Sequence, residues 1–581
     1  MSEIRTTIRI RRVPDLDTPI QADTPDELLR LLYANRGLSN PDEVAPGLEA
    51  LAPLTSLHGL EAALDRLVAA IRSDQFILVV GDYDADGATG SALAVRGLRA
   101  LGARQVSFLV PSRFSNGYGL SPTLVEAAHA QGAEVILTVD NGISSHTAIA
   151  RAHALGLSVV VTDHHLPGDA LPKAEAIVNP NQPGCTFPSK HLAGVGVVFY
   201  LLAALRRRLR ESGWFGPGRP EPNLAERLDL VALGTVADVV SLDRNNRILV
   251  DQGLRRIRAG RACAGVLALL QVAGRDPARA TATDLGFFVA PRLNAAGRLT
   301  EMSLGVECLL TDDPARALEM ANQLDALNRE RRSIEDSMKE AAESVLDALI
   351  LDGESLPPGL CLFGEDWHQG VSGIVAARIR ERYHRPTIAF ADAGDGRLRG
   401  SGRSIEGLHL RDAIDWVDRR HPGLIEHFGG HAMAAGLTLR PGCLESFRDA
   451  FVEAVRVQLG DIPPTPEIRS DGALPVRLLT LETAEALRFA GPWGKDFPEP
   501  RFDDLFEVIE ARCVGDDRRH LKLRVAPSGG SAIEAIAFGL GERIASVRGM
   551  VRLVYRLDIN SYRGQNALQL LVDHLAETVD M

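Results

Sequence analysis

The sequence is poor in cysteine. Only Cys185, Cys263, Cys308, Cys361, Cys443 and Cys513 occur in 581 residues, and none lies in a C-x-x-C pair. That scatter argues against a disulfide framework and a thiolate zinc site, and it fits a reducing compartment. No apolar run approaches the roughly 20 residues that span a bilayer. The opening "MSEIRTTIRIRR" has no apolar signal core. These absences point to a cytoplasmic protein without membrane contact. An excess of positive charge is missing too, the formal net charge being -12. An acidic total does not exclude an anionic partner, because local fields are set by clusters. Arginines do cluster, at Arg9, Arg11 and Arg12; Arg206, Arg207, Arg208 and Arg210; Arg255, Arg256 and Arg258; and Arg329, Arg331 and Arg332. The commonest use of such a cluster is a solvated helix face.

At roughly 100–200 residues per domain, the length allows about three or four domains. Residues 1–54 read as an N-terminal arm with one short helix. From about residue 55, strands and helices alternate. Strands are expected at Phe76–Val80, Val106–Val110, Glu134–Val139 and Ser158–Thr162, with helices at Ala88–Leu101, Pro122–Gln131 and Ser144–Leu155. Such alternation predicts a parallel sheet covered by helices, an α/β catalytic domain over 55–312. Residues 313–349 carry apolar positions at helical spacing after Asp313 and Pro314, a cap and a first helical residue. They read as a connecting helix. A smaller α/β domain is expected over 350–460. After the linker "GDIPPTPEIRSDG", short strand candidates separated by turns over 461–581 suit a C-terminal β-barrel, OB-like.

Acidic residues gather at the strand ends. "GDYDADG" (Gly81–Gly87) places Asp82, Asp84 and Asp86 after the first strand. Asp140 ends "EVILTVD", and Asp163, His164 and His165 end "SVVVTDHH". Asp238 lies inside the apolar "ALGTVADVV". In a parallel α/β sheet, ligands bind outside the carboxyl ends of the strands, so these residues are expected to meet in one cleft. A lone Asp after a strand is usually a turn former or a helix cap. Four such features converging on one sheet edge require a cation or strongly raised pKa values. "DYDADG" matches the start of a calcium-binding EF-hand loop, but its twelfth position is Leu93 and a strand precedes it. No G-x-G-x-x-G fingerprint is present. Carboxylates with imidazoles and no thiolate favour Mg²⁺ or Mn²⁺. Two divalent cations about 3.5–4 Å apart clamp the attacking and leaving oxygens of a phosphoryl displacement. The residues read as a two-metal phosphoesterase.

As a set, "GDYDADG", "TVDNGI", "TDHH" and "LGTVADVV" resemble the motifs of the DHH phosphoesterase superfamily. "PSRFSNGYGL", "APRLNAAGRL", "HQGVSGIVAARIRERYHRP", "GSGRS" and "FGGHAMAAG" resemble its RecJ exonuclease family. The resemblance covers roughly residues 55–575. It implies a 5′→3′ exonuclease hydrolysing the phosphodiester bonds of single-stranded DNA in recombination and repair, with two divalent cations, Mn²⁺ or Mg²⁺. Carried over position by position, Asp84, Asp86, Asp140, His164 and Asp238 would ligate metal, with Asp140 bridging the two ions. Asp82 would be a ligand or an acceptor behind them. Asp163 would orient a histidine, and His165 would face the scissile phosphate. In the second domain, DHHA1, the "SGRS" segment and the backbone around Gly430 and His431 would meet phosphate, and Arg113 of the first domain together with Ser401 and Arg403 would hold the terminal 5′-phosphate. Phe114 and Tyr118 beside Arg113 would stack on bases or pack in the core. Implied partners are single-stranded DNA, a single-strand-binding protein and a helicase, with the chain a monomer. Two rivals remain. A relative cleaving short oligonucleotides or cyclic dinucleotides needs only the two core domains. A binding module without metal is disfavoured because every ligand position is filled.

Overall fold

Runs of Ile, Leu and Val without polar alternation suit strands covered on both faces. Five such runs form the first sheet: β1 (Ile77–Gly81), β2 (Val106–Leu109), β3 (Val135–Val139), β4 (Ser158–Thr162) and β5 (Ala176–Val178). All neighbours are parallel, in the order β2-β1-β3-β4-β5. The chain leaves β1 on one side for β2 and returns on the other side as β3. Strand order therefore reverses between β1 and β3, and the crevice outside their carboxyl ends is the place where such sheets take ligands.

The computed structural model describes residues 9–12, 20–111, 119–351, 356–394, 396–460, 466–515, 518–562 and 564–577. Arg113, Phe114 and Tyr118 lie outside the described residues. The chain divides into two compact units, residues 12–325 with 469–581, and residues 1–11 with 326–468.

In the first unit, the helix after β1 runs Ala85–Ala100 and starts earlier than the pattern from Ala88 suggests. Asp84 caps it, its carboxylate accepting from Gly87 N at 3.0 Å, which brings Asp86 into the first turn. Small residues let this helix be buried on all sides. A Cβ on Gly90 would lie 2.5 Å from Val139 Cγ1, and one on Gly97 would lie 2.4 Å from Leu202 Cδ1. Arg96 is buried on it and donates to the carbonyls of Leu309, Leu310 and Thr311, satisfying the end of helix Ser303–Leu310. Strand β5 and helix Arg244–Arg258 were not expected from the sequence pattern.

The C-terminal strands Phe502–Val514, His520–Pro527, Ile533–Ala537, Met550–Tyr562 and Gln565–Glu577 close into a barrel. Phe502, Phe506 and Tyr555 fill its core, and Leu28 and Leu32 of helix Pro25–Asn35 belong to the same core. Tyr33 Oη donates to Ala490 O at 2.8 Å, and Arg36 pairs with Asp471 at 2.8 Å.

The connecting helix expected over 313–349 runs Pro314–Leu351, 38 residues and roughly 57 Å long. In the second unit, Glu335 on this helix accepts from Arg331 at 2.6 Å and from Arg378 at 3.0 Å. The second unit's sheet has the order Ile425–Gly430, Ala434–Leu439, Leu398–Arg403, Thr387–Asp392, Leu360–Phe363, and only its last pair is parallel. Phe390, Phe447 and Phe451 centre its core.

Candidate metal centre

The loops after β1, β3 and β4 and the end of helix Leu228–Ala237 bring the expected acidic residues and histidines together. Three donor groups form, each with its ligand atoms within 4.8 Å of one another: Asp82, Asp84 and Asp140; Asp140, His164 and His165; Asp86, His164 and Asp238. Asp140 is common to two groups and His164 to two. His164 Nε2 lies 3.1 Å from Asp140 Oδ1 and 3.4 Å from Asp238 Oδ2.

Each residue is held by local structure. Asp140 follows β3 with φ 62, a left-handed conformation that Asp tolerates, and its N–H donates to Thr162 O of β4. Asn141 beside it is buried and donates from Nδ2 to Val80 O and Val139 O, tying the ends of β1 and β3 together. Asp86 accepts from Gly194 N at 2.6 Å and Val195 N at 2.9 Å, so it caps the N-terminus of helix Gly194–Glu211 while facing the cluster. Gly194 is required here, because a Cβ would lie 2.6 Å from Asp140 Cβ. Asn294 Oδ1 accepts from Ala85 N at 2.8 Å and fixes the loop that carries Asp82 and Asp84.

Asp163 sits beneath the histidines. Its Oδ1 accepts from His164 N at 2.7 Å and lies 2.8 Å from His165 Nδ1, and its Oδ2 accepts from Ile143 N. Burial opposes charge on Asp163, but the hydrogen bond and charge of His165 hold it below the usual carboxylate range. An ionised Asp163 can only accept, so Nδ1 of His165 carries its proton there and Nε2 is left for other partners. Burial likewise opposes charge on His165, yet Asp163 raises it to about 9. Asn179 and Asn181 donate to the carbonyls of His165 and His164, closing the loop from the other side.

The carboxylates behave in the opposite way. Burial, then the charge of Asp84, pushes Asp86 up to about 7 despite its two backbone donors. Burial, then Asp86, Asp84, Asp238 and Asp82, drives Asp140 well above the usual range. Burial, then Asp86 and Asp84, does the same to Asp238. Such crowded, desolvated carboxylates take up protons or cations. An all-oxygen and imidazole donor set with two shared members fits a pair of divalent cations, Mn²⁺ or Mg²⁺.

In the other unit, Ser401 and Arg403 lie on strand Leu398–Arg403 rather than in a glycine loop. Gly400 and Gly402 face its core, where a Cβ would lie 2.5 Å from Phe390 and 2.8 Å from Leu410. Ser401 and Arg403 occupy the opposite face, beside the start of helix Ser372–Tyr383. A Cβ on Gly373 would lie 3.1 Å from the Arg403 guanidinium and 3.4 Å from Ser401 Cβ. Arg399 on the same face donates to Gln369 Oε1. Gly430 ends strand Ile425–Gly430 with φ 140, and exposed His431 follows in the turn, its N–H donating to Ala434 O.

Three family models match the chain. The DHH family N-terminal domain covers residues 76–235, the DHHA1 domain 357–457 and the RecJ OB domain 470–574. The single-stranded-DNA-specific exonuclease RecJ of Dickeya dadantii is 53% identical over 572 residues, 98% of this chain and 99% of that protein. The chain belongs to the RecJ family. RecJ of Escherichia coli K12 is 52% identical over 97% of this chain and 98% of its own length. A crystal structure of Thermus thermophilus RecJ in complex with Mn²⁺ matches with a TM-score of 0.78 at 32% identity, over 99% of this chain and 80% of that one. The Mg²⁺ complex matches with a TM-score of 0.72 at 31% identity, over 98% and 78%. Within this RecJ family member, Asn141, Asn179, Asn181 and Asn294 escaped the sequence reading. "NPN" and "APRLNAAGRL" were the only signals for the last three.

Proposed function

We propose that this chain is a metal-dependent exonuclease that hydrolyses the phosphodiester bonds of single-stranded DNA from a 5′ end, with two divalent cations as cofactors and DNA recombination and repair as its setting. The observation that carries this is the trio of donor groups sharing Asp140 and His164 at the switch point of the parallel sheet. When bound, paired cations polarise the phosphodiester and make water nucleophilic near neutral pH. Asp84, Asp86, Asp140, His164 and Asp238 would hold them, Asp140 being shared between two donor groups. Asp82 lies close enough to serve either as a ligand or as an acceptor behind the ligands.

The rest of the chemistry belongs to the protein. Asp163 fixes the ring of His165, and Nε2 of His165 donates to a non-bridging oxygen of the scissile phosphate. Arg403 and Ser401 bind the terminal 5′-phosphate with Arg113, a guanidinium fork meeting two phosphate oxygens, and the backbone around Gly430 and His431 supports the same group. The units of sequence are a catalytic domain over 55–312, a connecting helix, a substrate domain over 350–460 and a strand-binding barrel. Phe114 and Tyr118 stack on bases.

A single-strand-binding protein and a helicase supply the strand, and the enzyme acts as a cytoplasmic monomer. No helix among the described residues is long and apolar enough to cross a membrane. The barrel favours a long polymer over short oligonucleotides or cyclic dinucleotides, because it would extend the path of the strand. The test is competition between a long 5′-phosphorylated single strand, the same strand in a duplex, and a dinucleotide, with and without chelator. The single strand should be degraded, in the presence of metal only. Preference for the dinucleotide would sink the reading.

A further inference from the structure

Two exposed apolar residues directly follow members of the donor cluster in sequence. Leu166 follows His165 and is 63% exposed, and Val239 follows Asp238 and is 61% exposed. The motifs that carry them touch, since His164 Nε2 lies 3.4 Å from Asp238 Oδ2. Single exposed apolar residues are ordinary on a protein surface. This pair is not, because of the backbone of Val239. It has φ 56, the left-handed conformation, and among the described residues it is the only β-branched one with positive φ. Asp238 ends helix Leu228–Ala237, so Val239 stands at the position after the cap, where helices usually place glycine. Glycine would turn the chain there without steric cost, and a β-branched residue is strained. Strain of this kind is concentrated at functional sites. The valine side chain gains no burial in return.

We propose that Leu166 and Val239 are the two edges of an apolar rim that grips the sugar and base of the nucleotide beside the scissile phosphate. This rests on the exonuclease reading. Contact with deoxyribose and with the faces of the bases is indifferent to sequence, as a degrading enzyme requires. It also positions the strand from both sides of the cluster, Leu166 from the histidine motif and Val239 from the Asp238 motif. The rim therefore favours a strand whose nucleotides bear bases.

The full-length protein with Mn²⁺ is compared on a 5′-phosphorylated single strand and on the same strand with tetrahydrofuran residues replacing its first nucleotides. The wild-type protein should show a lower KM for the strand that bears bases. Leu166→Ala and Val239→Gly should each raise KM on that strand by about fivefold, the loss of roughly 40 Å² of apolar contact, and should shrink the preference over the abasic strand. Val239→Gly should unfold at the same temperature as wild type or higher, because glycine suits the left-handed position. Leu166 is exposed, so its truncation leaves folding intact and keeps the test independent of Val239. Wild-type KM and wild-type preference in both variants would overturn the rim. So would a fall in melting temperature of Val239→Gly that accounts for its lost activity while Leu166→Ala behaves as wild type. Failure of the wild-type protein on both strands would overturn the exonuclease reading, and the rim with it.

Discussion

Asp163 Oδ1 lies 2.8 Å from His165 Nδ1 and also accepts the backbone N–H of His164. One buried carboxylate thereby sets the tautomer of one histidine and the backbone of both. Asp163→Asn should lower kcat by about 10–100-fold, the usual cost of losing the partner behind a site residue. KM should change little, since the amide still fills the same volume. Steady-state kinetics on single-stranded DNA with saturating Mn²⁺ would check this, and wild-type kcat would remove Asp163 from the site.

The pH dependence of the chelated protein follows from the same cluster. Asp86 titrates near 7 in the fold against 3.8 ordinarily. The folded state thus binds a proton that the unfolded chain releases, and stability drops as pH rises from about 4 to 7. His165, near 9 against 6.5, contributes fully below its ordinary value and is lost as pH rises through about 9. Both terms fall in the same direction. Cations take the place of these protons, so the gain in melting temperature on adding Mn²⁺ should widen between about pH 5 and pH 8. A constant gain across that range would contradict the assignment.

Gly194→Ala should be destabilising although alanine is the better helix former. Its Cβ would lie 2.6 Å from Asp140 Cβ and 2.9 Å from Asp140 Cα, and Asp140 is anchored between strands. Overpacking of this kind costs roughly 1–3 kcal/mol. Mn²⁺ affinity by calorimetry should fall with stability, because the displaced residue, Asp140, belongs to two donor groups.

Asn294→Ala tests a residue 209 positions away from the backbone that it holds. Loss of its carbonyl leaves Ala85 N without that acceptor, at about 1–3 kcal/mol. The variant should melt earlier and bind Mn²⁺ more weakly. Unchanged Mn²⁺ affinity would show that the Asp82–Asp84 loop keeps its shape unaided.

Arg403→Ala should weaken discrimination between 5′-phosphate and 5′-hydroxyl ends by about 1–3 kcal/mol, the worth of a charge-assisted bond. The measurement is the ratio of kcat/KM on the two strands. Equal loss on both would remove Arg403 from the phosphate pocket.

The candidate metal centre was legible because parallel strands are apolar runs with abrupt ends, and the ends of β1, β3 and β4 here carry Asp or His. Asp82, Asp84, Asp86, Asp140, His164 and His165 could be placed together from that rule, while Asp238, at the end of helix Leu228–Ala237, stood out as an acidic residue inside an apolar segment. The supporting asparagines could not. Asn141, Asn179, Asn181 and Asn294 act on backbone groups, and which backbone they meet is decided by packing, not by neighbours in sequence. The glycines of "GSGRS" are likewise explained by packing. Gly400 and Gly402 are small because Phe390 and Leu410 press on a strand. The alternation of glycine with Ser401 and Arg403 carried that information.

Helix Pro25–Asn35 gives Leu28 and Leu32, with Ala22 just before it, to a core otherwise built from residues 474–575. On a ribosome adding about 5–20 residues per second, these leucines emerge roughly 20–90 s before their partners. This helix is thus synthesised early and buried late. That core is completed only once residues 474–575 have been made, so a product truncated before them would display an apolar helix face with nowhere to dock, a natural handle for quality control.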